Sequence, residues 1–237
     1  MEKYEFYSLK DLLEDFYISE LSSTLEVEKK DINYYTNNDI IIDGKNVETL
    51  LSAKGTSKKK VFKKAESRVL DFLRKFKCIK NSGVENFLHD SEQAIRFQKE
   101  SLARTYLLIE PNSFDIVAYF SLAIKPILIK ENYKISNGKR KKLNSKIMDE
   151  NIEICSTFLI GQIGRHDNYS SNDINLGDIL NYIFGVINKV RELIGGRIVL
   201  IEVDKEPKLI KRYEEFNFEN IESDSEFTQL MQWINSY

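Results

Sequence analysis

The segment Arg197–Val203 reads Arg-Ile-Val-Leu-Ile-Glu-Val, apolar at successive positions and therefore on both faces of a strand. A strand of that kind has to be covered on both sides, as central strands of layered α/β sheets are. The sequence supplies the flanking elements. Leu176–Ile194 carries apolar residues at helical spacing and is closed by Gly195-Gly196. Pro207 suits the first turn of a further helix reaching to about Phe216.

The same alternation of periods runs through the rest of the chain. Ser8 is placed to cap a helix over residues 8–21, with Leu9, Leu12, Leu13, Phe16 and Leu21 on one stripe. Ile40–Ile42 reads as a short strand entering an Asp43-Gly44 turn. Val47–Lys54 reads as a short helix ended by Gly55. Ser57–Lys77 follows as a longer one, with Val61, Ala65, Val69, Phe72 and Phe76 inward and lysines outward. Val84–Ala103 is helical, divisible into two pieces. Arg104–Glu110 and Asp115–Ile129 form a hairpin through Pro111-Asn112-Ser113, with Pro126 marking an edge or the end of the second strand. Residues 130–150 are a polar, lysine-rich loop, Ile152–Gly164 a strand, and residues 217–221 and 226–234 two last strands. The order predicts an α/β (α+β) mixed sheet with helices on it.

Composition narrows the setting. With 42% hydrophobic residues in 237, the chain can bury a core, so a wholly disordered chain is excluded. Two cysteines, Cys78 and Cys155, make no disulfide framework and point to a reducing, cytoplasmic setting. The N-terminal segment has no apolar core of a signal peptide, and the longest apolar run, Ile116–Ile124, is far too short for a membrane span. The two cysteines and two histidines have no metal-ligand spacing, so no metal is expected.

The net charge of −2 is a cancellation. Residues 1–53 sum to −7 (12 acidic, 5 basic) and residues 202–237 to −5 (9 acidic, 4 basic). Residues 54–80 sum to +9 (11 basic, 2 acidic) and residues 125–146 to +7 (8 basic, 1 acidic). The two basic stretches are either solvated faces or contacts for an anionic partner such as tRNA or another nucleic acid. The short helix, the Gly55-Thr56-Ser57 turn and the basic helix also have a helix-turn-helix outline, which any two packed helices share.

Four segments from about residue 81 onward resemble, in order, the Gcn5-related N-acetyltransferase (GNAT) family. The first runs from Val84-Glu85-Asn86-Phe87-Leu88 to Ser101-Leu102-Ala103-Arg104-Thr105-Tyr106. The second is Val117-Ala118-Tyr119-Phe120-Ser121-Leu122. The third is Ile160-Gly161-Gln162-Ile163-Gly164-Arg165 followed by Asn175-Leu176-Gly177-Asp178-Ile179-Leu180. The fourth is Arg197–Asp204 with Leu209–Phe218. The resemblance divides the chain into a mostly helical extension of unknown role, residues 1–80, and a GNAT-like acetyltransferase domain, residues 81–237. It departs from the family where Asn172-Asp173-Ile174-Asn175-Leu176-Gly177 stands for the pyrophosphate loop and keeps only its last glycine. It departs again where Asn217 replaces a glycine, asparagine being a residue that tolerates positive φ.

The resemblance implies acetyl transfer from acetyl-CoA to a primary amine by direct attack. Backbone groups of Ile163, Gly164 and Arg165 would pair with the pantetheine arm and polarise the thioester. Residues Asn172, Asp173, Ile174, Asn175, Leu176 and Gly177, opening a helix, would meet the pyrophosphate. Tyr213 aligns with the family's acid at the departing sulfur. A phenol at ~10 donating to a thiolate at ~8.5 is uphill by roughly 2 kcal/mol, so its part there is chiefly a hydrogen bond. Glu202 is the candidate base, or else a carboxylate paired with Arg197 or a lysine. His166 is a lesser candidate base, and His89 reads as a surface residue.

The opening helices and Leu209–Phe218 look most like the branch of bacterial toxins that acetylate the amino acid of charged tRNA. The acceptor classes in view are aminoacyl-tRNA, a protein lysine or N-terminus, and a small amine such as a polyamine or an antibiotic. A homodimer is compatible with the resemblance. The other class of function is a non-catalytic GNAT-fold binding or regulatory module whose basic N-terminal region contacts DNA, RNA or a partner protein.

Overall fold

The structure, a computed structural model, describes residues 3–35, 39–42, 44–128, 133–136, 138, 154–221 and 225–234. Most of the basic stretch 125–146 lies outside the described residues. In chain order the elements are β1 (Glu5–Ser8), α1 (Leu9–Leu25), β2 (Asn33–Tyr35), β3 (Asp39–Ile42), β4 (Lys45–Asn46), α2 (Val47–Ala53) and α3 (Lys58–Leu73). Then come α4 (Ser82–His89), α5 (Ala94–Lys99), β5 (Arg104–Ile109), β6 (Ile116–Leu128) and β7 (Ile154–Arg165). The last are α6 (Leu176–Ile194), β8 (Ile198–Val203), α7 (Pro207–Glu214), β9 (Glu219–Asn220) and β10 (Thr228–Trp233). Seven strands form a mixed sheet in the order β1-β5-β6-β7-β8-β10-β9, and β2-β3-β4 form a separate three-stranded sheet. The predicted α+β class with a mixed sheet is thus observed.

The chain divides into two compact units, Met1–Tyr119 with Gly164–Asn168, and Phe120–Ile163 with Tyr169–Tyr237. Among the described residues, two apolar cores lie in the first unit. One gathers Leu9, Leu12 and Leu13 of α1, Val69 and Leu73 of α3, and Phe76, Phe87, Leu107 and Tyr119. The other joins Leu21 of α1, Ile32, Ile40, Ile42, Val47, Leu51 and Val61, so the small sheet and the helices α1–α3 share it. Ser8 caps α1 as the sequence predicts, accepting from the Asp11 N–H. Buried Glu20 on α1 forms ion pairs with Lys64 (2.7 Å) and Arg68 of α3. Burial raises its carboxyl, but the hydrogen bonds and charges of the two cations outweigh this and hold it below the usual carboxylate range.

Three local expectations change. The N-terminal segment forms β1, antiparallel to β5, because its alternation of charged and aromatic residues has the period of a strand. Helix α3 ends at Leu73 rather than Lys77, and its inward stripe closes with fully buried Leu73 while Phe72 is half-buried. His89 is half-buried rather than a surface residue, with Nε2 2.8 Å from the Phe76 carbonyl.

Gly164, at the end of β7, is a packing glycine of the first unit. A Cβ there would stand 2.5 Å from Val84 Cγ1, 2.7 Å from Tyr119 Cε1 and 3.1 Å from Phe76 Cζ. The Tyr119 hydroxyl donates to the Val84 carbonyl at 2.5 Å, which fixes two of those neighbours against one another.

In the second unit β8 lies parallel to β7 and antiparallel to β10. Its sequence, apolar on both faces, is buried at every position but Glu202. One face carries Ile198 and Leu200 into a core with Ile127, Ile135, Ile221 and Met231. The turn into β8 has Gly195 at φ 76° and Gly196 at φ 126°. The Phe158 ring occupies the place a Cβ of Gly196 would take, 2.3 Å from its ideal position. Both glycines are therefore required there.

Candidate functional site

Strand β7 pairs with β8 through Phe158↔Val199, Leu159↔Leu200 and Ile160↔Ile201. Both strands then continue, β8 to Val203 and β7 through Gly161, Gln162 and Ile163. The two parallel strands separate at their carboxyl ends, the location at which open α/β sheets hold ligands. Beyond that pair, the backbone groups of Gly161–Ile163 that face β8 lie outside the β7–β8 ladder. Of the predicted pantetheine residues, Ile163 belongs to this unit, whereas Gly164 and Arg165 belong to the first.

The predicted pyrophosphate segment forms a tight loop leading into α6. The Asp173 carboxylate accepts from the Ser170 N–H (2.8 Å) and hydroxyl (2.7 Å), and the Asn172 N–H donates to the Ser170 hydroxyl at 3.2 Å. Ile174 is buried and anchors the loop. Asn175 caps α6 in a reciprocal box: its side chain accepts from the Asp178 N–H, and the Asp178 carboxylate accepts from the Asn175 N–H. Asp178 is exposed and is turned back onto the cap. Among the described residues the N–H groups of Leu176 and Gly177 have no partner, and they carry the positive end of a 19-residue helix. Gly177 lies under the Phe216 ring, where a Cβ would come within 3.0 Å of Cε1.

Tyr213 lies on the buried side of α7, with its ring against Phe218 at 5.8 Å between centroids. Its hydroxyl has no hydrogen-bond partner among the described residues. Burial pushes the phenol up to about 12, against a small opposing effect of the Arg212 charge. The chain then turns at Asn217, whose φ of 64° is the positive value this position was read to need.

Glu202 is partly buried with both oxygens engaged. Lys125 Nζ of β6 lies 2.6 Å from Oε2, and Gln229 Nε2 of β10 donates to Oε1 at 2.7 Å. The partner is a lysine, one of the two pairings the sequence suggested. Sequence reading missed Lys125 and Gln229 in this role, because their meeting depends on the strand order. The register places Gln229 opposite Glu202.

His166, the lesser candidate base, is held structurally in the first unit. Its Nδ1 accepts from the Asn168 N–H at 3.0 Å, so the proton sits on Nε2, which points at the Lys75 carbonyl at 3.2 Å. Its ring packs on Phe76. Among the described residues no group of acidic, cysteine or histidine side chains is arranged to hold a metal. Among the described residues no helix is long and apolar enough to cross a membrane.

No protein-family model matches the sequence, and no curated protein matches it. Solved structures match it in shape. AtaT complexed with acetyl-methionyl-tRNAfMet has a TM-score of 0.53 at 15% identity, over 67% of this chain and 85% of that one. A tyrosine-to-phenylalanine mutant of KacT has a TM-score of 0.53 at 15% identity, over 68% and 86%. AtaTR bound with AcCoA has a TM-score of 0.52 at 13% identity, over 68% and 86%. At such identity the likeness is one of fold, and the fold is the GNAT type that the sequence resemblance predicts.

Proposed function

We propose that the chain is an N-acetyltransferase that uses acetyl-CoA and a primary amine, with the amino group of an aminoacyl-tRNA as the acceptor class. One observation carries the reading: the β7–β8 ladder stops at Ile160↔Ile201 while β7 runs on beyond it. The fold and the open N–H groups of Leu176 and Gly177 support it. AtaT complexed with acetyl-methionyl-tRNAfMet supports the acceptor class.

Acetyl-CoA supplies an activated acetyl group. In this reading Gly161–Ile163 bind the extended arm through backbone groups. The N-terminus of α6, from Asn172 to Gly177, receives the phosphates. Tyr213 holds its proton against the leaving sulfur. Glu202 takes one proton of the incoming ammonium, which exchanges for the Lys125 ammonium on Oε2; the neutral amine bonds to the thioester carbon, the C–S bond breaks, and the amine's second proton leaves with the CoA thiolate. The basic stretches 54–80 and 125–146 meet the acceptor's phosphates.

Calorimetry with acetyl-CoA tests the first step. Saturable binding is expected, and no heat at millimolar ligand would sink the enzyme reading. That outcome would favour the non-catalytic module, a reading helped by Asp173 and Asp178 beside the loop and by Phe216 across Gly177. Turnover against an acceptor panel that includes charged tRNAs, read by mass spectrometry, then fixes the acceptor. Glu202→Gln is expected to lower turnover about 10- to 100-fold near pH 7. The loss should shrink above pH 8, where an α-amino group with a pKa of about 8 is already deprotonated. A loss equal at every pH would leave Glu202 with a structural part only.

A further inference from the structure

Helix α3 begins against the usual electrostatic preference. Helix N-termini favour acidic residues because the dipole is positive there, each such placement being worth about 0.3–1 kcal/mol. The first turn of α3 has no acid and is Lys58-Lys59-Lys60 after the Ser57 cap. Lys63 follows one turn on from Lys59.

The cations around this end fall into two sets. Lys54 pairs with Glu26, Lys58 with Glu48, and Lys64 and Arg68 with Glu20, so the acids of α1 and α2 answer these four. Lys59, Lys60 and Lys63 are exposed, and among the described residues none has an ion-pair partner. At ~100° per residue these three fall within an arc of about 100°, opposite the buried stripe of Val61, Ala65 and Val69. The helix thus presents a compact, unanswered triple charge on its outer face, added to the positive end of its own dipole.

The surroundings decide what anion fits. Among the described residues no free aromatic side chain accompanies the lysines on α3: Phe62 is half-buried, with its ring against Tyr17 and under Lys99. Single-stranded bases therefore have no ring to stack on. The exposed positions of the first two turns hold no Asn or Gln for adenine and no Arg fork for guanine, and Arg68 is spent on Glu20; the lysines act as point charges, suited to phosphates more than to sequence. What is left is phosphate recognition by shape. A-form RNA has a deep, narrow major groove that side chains cannot read but whose flanking phosphates a small cationic cluster can bridge. B-form DNA opens the same groove to about 12 Å. The cluster also stands on a unit with its own core, built from α1, β2-β3-β4, α2 and α3, which gives it a fixed setting.

We infer that the N-terminal region binds double-stranded RNA through Lys59, Lys60 and Lys63 at the start of α3, as a sequence-independent contact with the phosphates of an A-form stem. This contact deepens the proposed role of stretch 54–80, uses none of the residues assigned to the transfer chemistry, and stands whether or not acetyl-CoA binds.

The test uses the full chain and a 20-base-pair RNA duplex, the DNA duplex of the same sequence and a 20-nucleotide single-stranded RNA, by fluorescence anisotropy across a salt series. The RNA duplex is expected to bind at least tenfold more tightly than either of the others. The triple variant Lys59→Ala/Lys60→Ala/Lys63→Ala should lose at least tenfold in affinity and flatten the log K against log salt slope by about 2–3. Its Tm should stay level or rise, since the removed charges oppose the dipole. The variant Lys205→Ala/Lys208→Ala, on the second unit, should bind as the parent does. DNA duplex bound as tightly as RNA, or a triple variant with unchanged affinity and slope, would overturn the inference. Acetyl-CoA calorimetry on the same variant reports the enzyme reading separately.

Discussion

Tyr213→Phe is expected to lower turnover about 100-fold while acetyl-CoA affinity stays within about twofold. The change removes one oxygen from a buried ring whose packing against Phe218 is kept. That oxygen has no partner among the described residues, so its loss leaves no orphaned donor or acceptor behind. Ground-state binding and folding should therefore be nearly untouched, and an effect on rate would belong to the transition state. The phenol at about 12 sharpens the chemistry. Full proton transfer to a thiolate of pKa about 8.5 would be uphill by about 5 kcal/mol, so the hydroxyl acts as a retained hydrogen-bond donor to developing negative charge. The rate should then show no alkaline limb from this residue below pH 10. Steady-state kinetics with both substrates, beside calorimetry, checks it. Unchanged turnover would remove Tyr213 from the chemistry.

Gly164→Ala is expected to destabilise the protein by about 2–3 kcal/mol, a drop in Tm of about 5–10 °C. The added methyl would press on Val84, Tyr119 and Phe76, all buried, and the Tyr119–Val84 hydrogen bond limits how far they can part. Gly185→Ala is the matched change of opposite sign. Nothing stands within 4 Å of its Cβ and the site is exposed on α6, so it should stabilise by about 0.5–1 kcal/mol. Thermal denaturation of the two variants beside the parent decides. Equal melting temperatures would show that the core yields at Gly164.

Much of this architecture was legible because periodicity states it directly. Leu176–Ile194 and Ile198–Val203 were bounded by glycines whose positive φ stops one element and starts the next. What stayed hidden depended on partners remote in sequence. β1 is too short to declare itself without β5, and β2 has no turn signal of its own. Within the candidate site, Tyr213, Glu202 and the 172–177 loop could be named from residue types and order. The ion pair of Lys125 with Glu202 could not, since 77 positions separate them and β7 runs between their strands. Gly164 was read for close approach to a ligand arm, and its neighbours are core side chains of its own unit.

The ring of Phe158 seated on Gly196 has a further consequence. It sets the count between two strands. With that ring wedged into the turn, Phe158 faces Val199, and each later pair follows down to Ile160 and Ile201. A slip of one residue would turn Glu202 to the opposite face, away from Lys125 and Gln229, and would move the fork where the strands part. The dimensions of that fork are thus gauged from its far end, by an aromatic wedge on a bare backbone atom, rather than by any residue at its mouth.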